Sequence, residues 1–543
     1  MQGFEELVNS NEFASYTLEV AKYPKTLLGW EKLINLITKS IGQINKAIDV
    51  RLYRLLKATY KDFLFYFPLL ENYYIDYGLL EYKLGHFKSV HIIFKEALGQ
   101  HNNRSILIWI NYLRLCNEIV IDQKQLLKKY ERAEQYIGMH YLSGEFWEMY
   151  LRLIRERSNV KIRYYATLRK VIEIPLHSFS KFYALWLRHI DEDIKDLKHL
   201  LYFASKDDIK QKFKLDLEYK GRRGPYLIKA KQQLKKFTKE LYSTVQYQVM
   251  EIYSLFENKI TIHHYTAPDE LITSDQQVLW DKYLDYIIEL DILPLTQLVF
   301  QRGIVVLAHY DFIWLKYAKF HMERLHDMTS ARNILIRSLQ FSLRKKNIIE
   351  YLTIILINTD ELPLLDNIFT SWESSIIGNA ESSDDFPTFW NFIEFKIFYH
   401  KSLNKSRYSE SVSNSFLPDT ILEKIYKRLE YQGERTGQDI ILSNLVGMQT
   451  KDNTEVIENK VFKEIIQRNW SYYLDGGLFW YLYSKLIFFD HQKSYLERRG
   501  YIVEKIWKQI PKKAYPRIAP KLLGFCESYL PDDIDIIYEM IEQ

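Results

Sequence analysis

Apolar residues along this chain recur at i, i+3 and i+4, the spacing that gathers side chains on one face of an α-helix. Within those stripes a more specific pattern returns. An aromatic residue is followed three positions later by another, then by a small or aliphatic residue, then by an apolar one two further on. It reads Tyr74-Ile-Asp-Tyr77-Gly78-Leu-Leu80, Trp109-Ile-Asn-Tyr112-Leu113-Arg-Leu115 and Trp147-Glu-Met-Tyr150-Leu151-Arg-Leu153. Further copies are Tyr183-Ala-Leu-Trp186-Leu187, Trp280-Asp-Lys-Tyr283-Leu284, Trp314-Leu-Lys-Tyr317-Ala318 and Trp480-Tyr-Leu-Tyr483-Ser484, with weaker ones beginning at Trp30 and Phe389.

The copies are evenly spaced. From Tyr74 to Trp109 is 35 residues, then 38 to Trp147, 36 to Tyr183, and 34 from Trp280 to Trp314. Two short helices with their turns need about that length, and a repeat of such units predicts an α-solenoid. A second helix is expected after each first one, and candidates stand in place: Val90 to Leu98, Leu126 to Ala133, Leu298 to Gly303 and Ala331 to Leu339. Each carries a small residue near its end that lets the next unit approach. A single aromatic stripe is ordinary helical core; the alternation of two motif types at a constant period is what predicts repeats. Tyr74, Tyr77, Trp109, Tyr112, Trp147, Tyr150, Trp280, Tyr283, Trp314, Tyr317, Trp480 and Tyr483 are therefore expected to pack one layer on the next.

Composition agrees with this reading. The 543 residues are 47% hydrophobic and include only 19 Gly and 13 Pro, too few turn-formers for an all-β chain. With 42 Tyr and 11 Trp, aromatic side chains are abundant enough to wedge many helices. Cys116 and Cys526 stand far apart and form no disulfide framework, which points to a reducing compartment. The amino terminus lacks the basic and apolar stretches of a signal peptide, and no apolar run reaches membrane-span length, so an intracellular, soluble protein with no membrane partner is expected.

The net charge of +5 is local. Between Lys206 and Glu240 there are 12 Lys/Arg against 5 Asp/Glu, a balance of +7, which leaves −2 for the rest. This segment interrupts the repeats. It contains a Gly221-Arg-Arg-Gly-Pro225 turn, expected to break any helix, followed by a helix in which Leu234, Phe237 and Leu241 share a face and the lysines point outward. Three regions result: a repeat array over 1–200, a basic helical connector over 201–275 and a second array over 276–543. Ser374 to Pro387 and Ser402 to Pro418 read as exposed loops.

Catalytic signatures are missing from the sequence. It contains no phosphate-binding glycine loop, His-Glu-x-x-His helix, paired Cys-x-x-Cys or Gly-x-Ser-x-Gly elbow, so no enzyme activity, cofactor or metal is expected. His263-His264 reads as a loop feature, and Asp532, Asp533 and Asp535 as a solvated helix start. The one constellation suited to a direct ligand is the connector. There Arg222, Arg223, Lys229, Lys231, Lys235, Lys236 and Lys239, interleaved with Phe213, Tyr219, Tyr226 and Phe237, suit either RNA or an acidic protein segment.

The Trp-x-x-Tyr first helices, together with Tyr130-Glu-Arg-Ala133 in a second helix, resemble half-a-TPR (HAT) repeats of RNA-processing assemblies. Glu71 to Tyr77, Leu79 to Gly85, Ser143 to Trp147, Ile174 to Trp186 and Phe525 to Tyr529 are similar to the pre-mRNA-processing factor 39/42 family of the U1 small nuclear ribonucleoprotein, on its fungal 42-type branch. That resemblance implies a nuclear, non-catalytic scaffold that supports 5′ splice-site recognition through protein contacts. It implies a carboxy-terminal array that pairs with a factor-39-type paralogue, an amino-terminal array that meets the U1 core zinc-finger protein, and mainly indirect contact with U1 snRNA and pre-mRNA. The alternatives are an RNA-binding protein that uses its basic connector, and a HAT scaffold of 3′-end cleavage or ribosomal RNA processing.

Overall fold

The computed structural model is helical at every regular element among its described residues. Those residues are 2–359 apart from 47, 100, 158–160, 218–222 and 269, then 361, 438–447 and 454–542, with isolated positions between 363 and 430. The weaker repeat copy at Phe389, the expected loops at 374–387 and 402–418, Tyr219, Arg222 and the side chain of Arg223 lie outside this description. The chain forms two compact units, one of Met1–Tyr317 with Phe341–Leu343 and one of Ala318–Gln340 with Arg344–Gln543.

The first unit opens with α1 (Gln2–Val8), α2 (Asn11–Lys22), α3 (Leu27–Ile41), α4 (Val50–Tyr66), α5 (Glu71–Lys83) and α6 (Phe87–Ala97). It continues through α7 (Ile106–Ile119), α8 (Gln123–Ile137), α9 (Gly144–Arg157), α10 (Lys161–Glu173) and α11 (Phe179–Asp193). Side-chain caps set several of the starts. Ser10, Asp49, Ser105 and Asp122 each accept a hydrogen bond from a backbone N–H two or three residues on, which satisfies a donor the helix leaves unpaired. Gly85, at φ 81°, closes α5 in the left-handed conformation that a side chain disfavours. Most neighbouring helices pack on one another, and α5 also packs on α7, so there one first helix stacks directly on the next.

The basic segment is part of this unit's core. After α12 (Lys206–Gln211) comes α13 (Arg223–Ile252), a 30-residue helix packed on α10 and α11. Ala230 and Leu234 are buried in the same core cluster as Trp109, Trp147 and Trp186, with Phe237 and Leu241 packed against it. The expected helix break at 221–225 is corrected: Gly224 and Pro225 stand in the first turn of α13, where a missing N–H costs nothing.

The chain then runs without helix through residues 259–268 and 270–273 into α14 (Ser274–Glu289), α15 (Leu293–Leu307) and α16 (Asp311–Glu323). Helix α15 packs on α8. Arg104 donates to the Pro294 carbonyl at 3.4 Å, 190 residues away, and also reaches Gln297 Oε1. Gln301 donates to the carbonyl of His101, 200 residues before it. The first unit is thus pinned back on its own early repeats.

The second unit includes α17 (Met328–Phe341, less its last residue), α18 (Lys346–Asn358) and, further on, helices at Gln438–Gly447, Gly477–Phe488, Tyr515–Tyr529 and Ile534–Glu542. A helix over 454–467 widens into a π turn at Glu458–Phe462. The acidic run after Pro531 also differs from expectation: Asp533 is buried and accepts two hydrogen bonds from Arg499, at 2.7 and 2.6 Å, whereas Asp532 and Asp535 remain exposed.

Candidate interaction surfaces

The stripe tryptophans share one arrangement. Trp30, Trp109, Trp314 and Trp480 each donate their indole N–H to the carbonyl of the residue six before, at Pro24, Asn103, Ala308 and Leu474, over 2.7 to 2.9 Å. Trp147 reaches Gly138 O at 2.9 Å, and Trp186 reaches Thr238 Oγ1 on α13 at 3.2 Å. All six indoles are buried. All fill the core with their rings; Trp30, Trp109, Trp147, Trp314 and Trp480 close with their polar edge the turn that leads into their own helix, whereas Trp186 ties its helix to α13.

The stripe tyrosines stack on an aromatic ring of an earlier helix. The pairs are Tyr60–Tyr77, Phe94–Tyr112, Tyr130–Tyr150, Phe256–Tyr283, Phe300–Tyr317 and Phe462–Tyr483, with centroids 4.5 to 5.3 Å apart and near-parallel planes. The earlier member went unnoticed as a motif, although an aromatic 17 or 18 residues before the tyrosine signals it at Tyr60, Phe94 and Phe300. Tyr74, the first aromatic of its copy, is only partly buried against the same core.

Buried glutamates anchor two of these tyrosines. Tyr283 donates to Glu257 Oε1 at 2.8 Å, and Tyr483 donates to Glu458 Oε1 at 3.1 Å. Both glutamates sit in π turns, where the extra residue per turn redirects a side chain into the core. Glu257 also takes two hydrogen bonds from Arg302, at 2.6 and 3.0 Å. Burial by itself would raise the Glu257 carboxyl, but the charge and hydrogen bonds of Arg302 carry it below its ordinary range. Burial opposes the charge on Arg302 in turn, and Glu257 outweighs it, so its guanidinium holds its proton more tightly than usual.

Beside this pair is a small cavity of about 110 Å³ lined by Asn102, His140, Trp280 and Arg302 among others. Trp280 departs from the indole pattern here, because its buried N–H has no partner among the described residues. Burial keeps His140 well below the usual histidine range and lowers His263, which lies in the loop expected of it.

The connector's cations divide in two. Lys231 donates to the Asp191 carbonyl and Lys235 pairs with its carboxylate, at 2.7 and 2.6 Å, so both are used within the fold. Lys229, Lys236 and Lys239 are exposed, and no ion pair involves them among the described residues. Phe213 and Phe237 pack edge to face inside, and the Tyr226 hydroxyl accepts from the Asp216 N–H, so these rings face the protein. Among the described residues no group of three or more His, Cys, Asp or Glu side chains is arranged to hold a metal ion.

Comparison with known proteins finds family matches in two stretches of the chain. A family model for the PRP39 N-terminal HAT repeat matches residues 14–188, and one for the PRP39 C-terminal HAT repeat matches 251–361. The chain is 48% identical over 543 residues, the full length of both proteins, to the U1 small nuclear ribonucleoprotein component PRP42 of Saccharomyces cerevisiae. It is 22% identical over 333 residues to pre-mRNA-processing factor 39 of Schizosaccharomyces pombe, covering 58% of this chain and 52% of that one. A shorter match, 24% over 180 residues, covers 30% of this chain and 21% of the mRNA 3′-end-processing protein RNA14 of Yarrowia lipolytica. An all-helical chain with tryptophan-closed repeats, matched by both halves of the family and along its whole length by one member, belongs to the PRP39/PRP42 family of HAT-repeat pre-mRNA-processing proteins.

Proposed function

We propose that this protein is a non-catalytic scaffold subunit of the U1 small nuclear ribonucleoprotein, acting in the nucleus in pre-mRNA splicing. The observation that carries the reading is the full-length identity to a U1 component, which leaves no region of the chain outside the comparison. Stacked repeats suit the role, since a rigid array offers preformed surface and bound subunits lose little freedom on docking. In this reading the repeats over 276–543 pair with a factor-39-type paralogue. The early repeats meet the core zinc-finger protein, and the particle is held for 5′ splice-site recognition while this chain touches RNA mainly through others. Affinity purification of the native complex followed by sequencing of its RNA tests it. Enrichment of U1 snRNA is expected; ribosomal precursors or the 3′-end cleavage machinery in its place would overturn the assignment.

One observation favours a second reading, direct RNA contact by α13: Lys229, Lys236 and Lys239 are exposed on that helix and make no ion pair among the described residues. Salt-dependent affinity of the isolated chain for single-stranded RNA, lost when these three lysines become glutamine, would support it. Affinity unchanged by that substitution would exclude it.

A further inference from the structure

The early repeats enclose a groove that the fold itself leaves open. It has a volume of about 720 Å³, with α3, α4 and α5 on one side and His264, Tyr265, Ala267 and Glu270 on the other. Its charge is one-sided. Glu31, Asp76 and Glu270 line it, against Lys83 as the one lysine or arginine among the described lining residues. On a chain with a net charge of +5, this is a local reversal of sign.

The protein does little to neutralise those acids. Glu31 accepts a hydrogen bond from the uncharged Tyr73 hydroxyl at 2.9 Å. The side chains of Asp76 and Glu270 make no hydrogen bond or ion pair among the described residues. The groove walls strip water from Asp76 and raise its carboxyl, with Lys83 pulling the other way, so an added cation would relieve a standing cost. Asn35 and Asn72 add amides on the same lining, and an amide both donates to and accepts from a peptide backbone. The floor spans two neighbouring first helices. At about 10 Å between helix axes and about 3.3 Å per extended residue, about three residues of an extended segment reach from one helix to the other.

We propose that this groove binds an extended, arginine- or lysine-bearing segment of a partner protein. Glu31, Asp76 and Glu270 receive its cationic side chains, and the asparagines hold its backbone. Nucleic acid is disfavoured, because its phosphates would face the same carboxylates. The proposal depends on the groove alone, so its failure would leave the scaffold reading standing.

The test uses the full-length protein and a fluorescein-labelled peptide of alternating arginine and alanine, with a glutamate and alanine peptide as control, followed by anisotropy. The arginine peptide is expected to bind at least about ten-fold more tightly than the control, and less tightly as salt rises. Glu31→Gln with Asp76→Asn should weaken it about ten-fold without lowering thermal stability, since Gln still accepts from Tyr73 and the Asp76 side chain makes no hydrogen bond or ion pair among the described residues. Lys83→Glu should tighten it several-fold, and Lys236→Glu on α13 should leave it as it is. Equal binding of the two peptides, or arginine-peptide binding that ignores the Glu31, Asp76 and Lys83 changes, would overturn the proposal.

Discussion

Replacing Arg302 with methionine tests how the first unit is held together. Arg302 and Glu257 are both buried, with side chains 11% and 5% exposed, and the substitution removes two hydrogen bonds and the only cation paired with Glu257 among the described residues. An uncompensated buried carboxylate of this kind costs about 3–5 kcal/mol. In the intact pair Glu257 lies below its unfolded value of 4.5, so its contribution is full above that value and fades as pH falls through the lower folded one. Without Arg302 the sign reverses. Burial then raises the carboxyl above its unfolded value, so the deficit is largest near neutral pH and shrinks at about pH 5, where the acid can be buried uncharged. Urea unfolding followed by tryptophan fluorescence at the two pH values measures both quantities. Adding Glu257→Met to Arg302→Met should recover most of the loss, short of about 1 kcal/mol for the Tyr283 hydroxyl left without its acceptor. A single-variant cost under about 1 kcal/mol, or a deficit of the same size at both pH values, would refute the reasoning.

Other outcomes are open to the same measurement. Trp109→Ala should cost about 3–5 kcal/mol, and Trp109→Phe should cost less, because it keeps most of the ring while losing the bond to the Asn103 carbonyl. Gly78→Ala should destabilise by about 1–3 kcal/mol, since a Cβ there would lie 2.5 Å from the Phe94 ring; full native stability would mean that the α5–α6 contact is looser than described. Cys116 and Cys526 are buried, and burial pushes their thiols up to about 11 and about 12. Native protein should resist iodoacetamide at about pH 8 and react at both sites once unfolded in urea, as mass spectrometry would show; rapid native labelling would contradict the burial.

Fold class was legible in the sequence because helical periodicity and a constant repeat length are local properties, written within each segment of some 35 residues. What escaped was tertiary. A count of lysines along α13 cannot see that Asp191, some forty residues earlier, takes up Lys231 and Lys235. Glu257 and Glu458 look like ordinary surface glutamates, and only the π turns that carry them turn the carboxylates inward. Asp533 was misread for the same reason: its partner Arg499 stands 34 residues upstream, on another helix. The groove beside α5 was equally hidden, since His264, Tyr265, Ala267 and Glu270 complete its wall from far outside the repeats that form its floor.

The bonds from Arg104 to Pro294 and from Gln301 to His101 alter how the first unit should fold. In an open repeat array each layer depends only on its neighbours, so assembly can begin anywhere and spread. Here two layers nearly two hundred residues apart must also find each other, a loop-closing step that follows the local stacking and slows the overall process. A fragment ending near residue 200 would contain every early repeat yet lack the helix those repeats close upon, and should unfold less cooperatively than one extending to residue 317.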